Sequence, residues 1–256
     1  MLLEAIVLGV VQGLTEFLPV SSTAHLILFP WFFGWTGEVD TLTFDVALHA
    51  GTLAALLFCF WKDWLELLTK KQILLGKIIL ASVPAGVAGF FLNNIVEKSL
   101  REPLLISIML VIVGLVMLAA ERTEKYKNME KVDLIDAITV GIAQTLALIP
   151  GVSRSGITIS AGLFRGIKRD ESARFSFLLS TPIITGATIL HMKKLLTSQA
   201  NYDHQLFSVG LISSLITGFI AIKFLLSFLK KYPLNIFVYY RFLLAVVIIA
   251  GIWLKG

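Results

Sequence analysis

The chain has 256 residues, of which 57% are hydrophobic and 15% charged, with a formal net charge of +5. Soluble domains carry about 25% charged residues, so a chain this apolar (mean hydropathy +0.85) cannot clothe a soluble surface, and a soluble class is excluded. The positive balance does not point to nucleic acid, because the basic residues sit in short connections between apolar runs, where membrane topology accounts for them, and no basic-aromatic strip is present.

Eight hydrophobic regions are expected, at about 4–29, 44–61, 74–92, 104–120, 134–164, 173–191, 206–229 and 236–254. The N-terminus, MLLEAIVLGVVQG, has no basic lead and carries Glu4 early, so its helix is expected to be retained rather than cleaved. Region 4–29 is interrupted by Pro19, Ser21, Ser22 and Thr23. In 44–61, Cys59 is the sole cysteine, which excludes a disulfide framework or thiol metal site and reads as a small packing residue. Gly86 and Gly89, in 74–92, are candidates for close helix packing. Region 104–120 carries no charge and approaches the roughly 20 residues that cross a bilayer.

Region 134–164 is interrupted by Pro150, Gly151, Ser153, Arg154 and Ser155. Proline lacks a helical N–H, and glycine allows conformations outside the helix. Broken backbone at membrane depth is tolerated only within protein or beside a watery cavity, so both interrupted regions read as re-entrant pairs of short helices. Lys223 and Arg241 fall inside later apolar runs and are expected to snorkel or pair.

The two interrupted regions also resemble each other. EAIVLGVVQGLTEFLPVSS begins at Glu4 and DAITVGIAQTLALIPGVSRS at Asp136; Ala5 matches Ala137, Ile6 matches Ile138, Gly9 matches Gly141 and Gln12 matches Gln144. Such a repeat, half the chain long, divides one membrane domain, 1–256, at about 1–130 and 131–256. Each half then holds one re-entrant pair and three transmembrane helices. A hairpin returns to its own side and three spans do not, so the repeats are inverted. The expected fold is an all-α polytopic bundle with its site where the breaks meet near the midplane.

The loops set the orientation. Lys62, Lys70, Lys71, Arg122, Lys125, Lys127, Lys131, Arg165, Lys168, Arg169, Arg174, Lys230 and Lys231 fall on one side; Lys98, Arg101, Lys193, Lys194 and Lys255 fall on the other. The richer side is expected to be cytoplasmic. Both termini then lie outside, and the first hairpin enters from there.

The first break collects Gln12, Glu16, Ser21, Ser22, Thr23 and His25. Gln12 and Glu16, four apart, share a helix face. A carboxylate, hydroxyls and an imidazole supply a candidate nucleophile and base, although serine and threonine also serve as plain helix caps. The second break offers Ser153, Arg154, Ser155 and Thr158. Arginine's fixed fork of donors suits phosphate oxygens, and helix-start N–H groups add an anion site. Arg154 paired with Glu16 for structure alone is the plainer alternative. Together the breaks suit phosphoryl transfer. Asp45 and His49, four apart at a span's start, are candidate supporting residues.

Gln12-Gly-Leu-Thr-Glu16, Pro19-Val-Ser-Ser-Thr-Ala-His25 and Pro150-Gly-Val-Ser-Arg-Ser-Gly-Ile-Thr158 resemble the motifs of the undecaprenyl-diphosphate phosphatases, the membrane enzymes linked to bacitracin resistance. The likeness continues through FDVALHAGT (44–52) and FSFLLSTPIITGA (175–187) and spans nearly the whole chain. Gln12 stands where that family has Glu or Gln, which weakens any mechanism needing two carboxylates there. The resemblance implies hydrolysis of undecaprenyl diphosphate to the monophosphate, recycling the lipid carrier for cell-wall glycans in the bacterial plasma membrane. It also implies an outward-facing site and a divalent cation, Mg2+ or Ca2+. Glu16 is the candidate ligand, with most coordination from substrate and water.

The expected mechanism has Ser22 attack the terminal phosphorus. Glu16 or His25 handles its proton, and Arg154 holds the diphosphate with Ser21, Thr23, Ser153, Ser155 and Thr158. Direct attack by water is the mechanistic rival. A polyprenyl phosphate flippase is the rival function, since broken inverted repeats also build transporters.

Overall fold

The computed structural model describes residues 1–197 and 203–255, the side chains of 93–99 and 191–197 excepted; Lys98, Lys193 and Lys194 therefore lie outside the described side chains. Among the described residues the helices are α1 (Leu2–Phe17), α2 (Ser22–Phe33), α3 (Leu42–Thr69), α4 (Gln72–Ser99), α5 (Pro103–Glu121), α6 (Leu134–Leu146), α7 (Arg154–Phe164), α8 (Arg169–Thr197), α9 (His204–Leu229) and α10 (Asn235–Lys255). Both interrupted regions are divided: α1 from α2 and α6 from α7. Six helices are long and apolar enough to cross a membrane: α3, α4 up to Leu92, α5, α8 up to Leu190, α9 and α10. The protein is thus a multi-pass helical membrane protein.

Helix starts follow local chemistry. Thr41 and Asp203 accept backbone N–H groups at the heads of α3 and α9. Asp133 and Asp136 form a capping box on α6, and Pro103 opens α5, where its missing N–H has no helical partner to lose. One boundary differs from expectation. The span expected at 44–61 continues to Thr69 through a bend at Phe60 (φ −108°, ψ 18°), so Lys62 lies on helix rather than in a loop. Hydropathy falls at Lys62, but Lys, Glu and Leu are good helix formers, and Leu67 still buries its side chain beyond the bend.

Helices approach through small residues, as membrane helices do without a hydrophobic force between them. α1 packs on α9, where a Cβ on Gly9 would strike the Gly210 carbonyl. α6 packs on α4, where a Cβ on Gly141 would strike the Ala81 carbonyl. Gly86 and Gly89 make no such close approach within the chain: among the described residues a Cβ on Gly86 would meet nothing within 4 Å, and one on Gly89 only Leu148 Cδ2 at 3.7 Å. α3 packs on α8 and α9, and α5 on α10. The outward surface is apolar, with Ile73, Phe90, Trp253 and Leu254 more than two-thirds exposed, as lipid contact requires.

Charge gathers at one end. Asp136, fully buried, accepts from Lys127 Nζ at 2.9 Å and Arg165 Nε at 2.7 Å. The Asp136 hydrogen bond holds the Lys127 ammonium pKa above its ordinary value. Glu121 takes Arg169 at 2.6 Å and Lys125 at 3.4 Å, and Arg174 pairs with Asp63. Of the cations within the later apolar runs, neither Lys223 nor Arg241 has a carboxylate partner among the described residues. Lys223 Nζ sits 4.2 Å from the Phe219 ring centroid, a cation–π contact. Arg241 is completely buried and gives its guanidinium to backbone carbonyls, so it does not snorkel. Cys59 packs against the core as a small residue.

Candidate active site

Each break uses the same backbone device. Proline and then Val-Ser follow the first short helix, and the serine takes a positive φ: 77° at Ser21 and 72° at Ser153. A non-glycine residue there carries strain, offset here by capping. Ser21 Oγ accepts from Ala24 N at 3.4 Å, and Ser153 Oγ accepts from Gly156 N at 3.2 Å. The next residue opens the second short helix and projects from its first turn. That residue is Ser22 in one break and Arg154 in the other.

The two meet on one carboxylate. Glu16, its side chain 5% exposed, accepts Ser22 Oγ–H on Oε2 at 2.6 Å, Gln12 Nε2 on Oε2 at 3.1 Å, and Arg154 Nη2 on Oε1. Every oxygen of this nearly buried anion is thus engaged, as a charge at membrane depth demands. His49 Nε2 stands 3.6 Å from Glu16 Oε2, and its Nδ1 lies 2.7 Å from the Asp45 carbonyl oxygen. A carbonyl only accepts, so Nδ1 carries the hydrogen. The Asp45 carboxylate lies 3.6 Å from Arg101. These groups face a cavity of about 300 Å³ that Ser21, Ser22, Thr23, Ser153 and Arg154 also line. Apolar side chains make up much of the rest of its wall, among them Leu26, Val46, Leu148, Ile149 and Ile184, with Gln144 and Thr188 between them.

Three expected residues are turned elsewhere. His25 Nδ1 donates to the Ser21 carbonyl at 2.7 Å, and its Nε2 lies 2.7 Å from Tyr240 Oη. With Nδ1 protonated, Nε2 takes the Tyr240 hydrogen and has no lone pair for Ser22; Glu16 alone contacts that hydroxyl. Thr158 is fully buried between the Arg154 carbonyl at 2.7 Å and Ser176 Oγ at 2.5 Å. Ser155 Oγ donates to the Leu18 carbonyl at 3.2 Å, tying the second break to the first. Neither lines the cavity.

Other residues matter more than the sequence suggested. Arg241 reaches from α10 to Pro19 O at 3.3 Å, Gly151 O at 2.8 Å, Val152 O at 3.2 Å, Leu110 O at 3.1 Å and Met109 O at 3.3 Å. Carbonyls freed where both helices break are satisfied by this one guanidinium, whose five N–H donors suit several acceptors. Its place as the only charge in 236–254 was the available signal. Tyr240 and Arg101 gave none.

Among the described residues, no three His, Cys, Asp or Glu side chains gather as a metal cage. Glu16 and Asp45 are the carboxylates lining the cavity. That donor set fits a hard cation that takes most of its oxygens from phosphate and water.

Fold and site define a polytopic helical membrane protein with a nearly buried polar centre, in which a serine hydroxyl and an arginine share one carboxylate. The model of the bacitracin resistance protein BacA family matches residues 5–247, and the chain belongs to that family. It is 55% identical over 247 residues to an undecaprenyl-diphosphatase of Thermodesulfovibrio yellowstonii, covering 96% of each. Undecaprenyl-diphosphatases of Desulforudis audaxviator and Moorella thermoacetica are each 47% identical over 262 residues, covering 99% of this chain and 98% of theirs.

Proposed function

We propose that the protein hydrolyses undecaprenyl diphosphate to undecaprenyl phosphate and inorganic phosphate, with the chemistry at the two breaks. The carrying observation is the Ser22 hydroxyl on Glu16 Oε2 at 2.6 Å, with Arg154 on the other oxygen of the same carboxylate. Ser22 Oγ attacks the terminal phosphorus as Glu16 takes its proton. The bond from that phosphorus to the bridging oxygen breaks, and undecaprenyl phosphate leaves with the electron pair. Water then attacks the phosphoserine, Glu16 returning a proton to Ser22 Oγ as phosphate departs. Arg154 turns its remaining N–H groups to the phosphate oxygens, where charge spreads in the transition state. Ser21, Thr23 and Ser153 border the headgroup from the cavity wall. The cavity's apolar walls suit the start of the isoprenoid tail. Glu16 would hold a divalent cation, magnesium or calcium, which would supply further charge neutralisation. His49 and Asp45, with Arg101, support Glu16 from the far wall.

The same proposal takes each divided region as a re-entrant pair and halves 1–130 and 131–256 as inverted repeats of a single membrane domain. The matched pairing of α1 with α9 and α6 with α4 supports it, as does the shared serine geometry. The paired charges between 121 and 174 support a cytoplasmic face there, in a bacterial plasma membrane. The cavity, bordered by Leu42, Asp45 and Arg101 from the opposite ends of their helices, then opens outward. Both termini lie on that outer side, and Lys255 bonding the Trp31 carbonyl is in keeping with this.

The test is phosphate release from a polyprenyl diphosphate by purified protein in detergent, with magnesium, calcium or chelator. Ser22→Ala should lower release by roughly 10⁴-fold or more, since it removes the nucleophile. Arg154→Ala should lower it by about 10³-fold, as loss of a charge-stabilising donor does. A rapid quench should trap phosphoserine on the wild type. Full release by folded Ser22→Ala would remove the covalent mechanism. No release by the wild type under any cation would remove the phosphatase reading itself.

A further inference from the structure

We infer that Gln144 is a substrate-binding residue of this centre, its amide donating to an oxygen of the diphosphate headgroup. The inference rests on the phosphatase reading above. Gln144 lies in the last turn of α6 and is 2% exposed, yet neither its Nε2 nor its Oε1 has a hydrogen-bond partner. A buried amide left without a partner costs roughly 1–3 kcal/mol. The residue lines the cavity that Glu16, Ser22, Ser153 and Arg154 share. A second orphan, Thr188 Oγ1, borders the same cavity from α8. Two polar side chains on the cavity wall, one from α6 and one from α8, thus have atoms without a protein partner among the described residues.

The repeat explains why the amide is free. Gln12 occupies the matching position in α1, and its Nε2 is taken by Glu16 one turn on. One turn after Gln144 stands Leu148, which accepts nothing. The matching glutamine thus has its Nε2 bound to protein in one half, its Oε1 alone lacking a partner, while in the other half both amide atoms lack one among the described residues. A leucine at 144 would remove the unsatisfied amide, so packing alone does not call for glutamine. A diphosphate presents acceptors throughout, which matches Nε2; water accompanying the headgroup matches Oε1.

Steady-state phosphate release is measured for wild type, Gln144→Leu and Gln144→Glu in one preparation series, together with thermal unfolding. For Gln144→Leu, KM should rise about 10-fold or more, the size of a lost hydrogen bond to a charged group, with kcat within about 3-fold. Its unfolding temperature should match or exceed wild type. Gln144→Glu keeps the shape but sets a carboxylate against the diphosphate, and KM should rise by about 100-fold. Wild-type KM in Gln144→Leu overturns the assignment, as does failure of both variants to fold, which would make the amide a structural group. A wild type that releases no phosphate instead removes the underlying reading, so the two failures are told apart.

Discussion

The two breaks share a backbone and differ in chemistry. In both, a proline and a Val-Ser pair end one short helix, and a serine with φ near 75° caps the next. Each capping hydroxyl accepts the N–H three residues on. After that the side chains part. The first break carries Glu16 one turn before its end and Ser22 at the new helix start. The second carries Leu148 and Arg154 at the matching places. One frame thus presents a hydroxyl on a carboxylate, the proposed nucleophile and base, and the other presents a cation; Arg241 holds carbonyls of both. A duplicated support can be specialised by changing only the residues it presents, because the strained serine and its cap fix where the next side chain emerges.

The largest effect should come from breaking the first frame's chemistry while leaving its shape. Glu16→Gln keeps the size and removes the charge that Ser22 and Arg154 share. Phosphate release should fall by about 10³-fold, near 4 kcal/mol in the barrier, as expected for a lost general base. Single-turnover kinetics on detergent-solubilised protein measure it. If Glu16→Gln lost less than about tenfold, the base would have to be sought elsewhere, with His49, 3.6 Å from Glu16 Oε2, the next candidate.

Arg241 tests what the frames have in common. Arg241→Met preserves bulk but withdraws the donors from Pro19, Gly151 and Val152 carbonyls. Carbonyls left bare in a buried place should cost roughly 3 kcal/mol or more, read as a lower unfolding temperature. Activity should fall with it, since both breaks loosen together. Arg241→Lys retains a charge but not the planar fork, and should fall between the two. Unchanged stability in Arg241→Met would show that the breaks stand without this guanidinium.

Much of this was legible from residue chemistry. Pro19, Pro150 and Gly151 in apolar runs marked where helices must stop. Arg154 at membrane depth needed a partner, and the structure gives it Glu16, the pairing that stood as the plainer alternative to a phosphate site. What escaped depended on which way a side chain faces once its helix is packed. His25 belongs to the first motif, yet its ring nitrogen is taken by Tyr240, 215 positions away. Thr158 lies one turn from Arg154 but on the side that α8 covers through Ser176. Arg241 was expected to snorkel or pair, and its partners are backbone carbonyls that no sequence pattern marks. The glycines teach the same lesson: Gly9 and Gly141 pack where Gly86 does not, and spacing alone does not say which face a neighbour covers.

The smallest expected effect is the most direct test of the shared frame. Ser21 and Ser153 each combine a cost and a gain: a positive φ disfavoured by roughly 1–2 kcal/mol for a residue with a Cβ, and a cap worth about 1 kcal/mol. Glycine relieves the first and gives up only a few tenths of the second. Ser21→Gly and Ser153→Gly should therefore each leave stability unchanged or raise it by up to about 1 kcal/mol. Ser21→Ala and Ser153→Ala keep the strain and lose the cap, and each should cost about 1 kcal/mol. The gap between glycine and alanine at one position isolates the backbone contribution, and equal gaps at both positions would mean that one device is used twice. A glycine variant destabilised by more than about 2 kcal/mol at one break but not the other would show instead that one serine is held by contacts its counterpart lacks, and the likeness of the two breaks would then end at their dihedral angles.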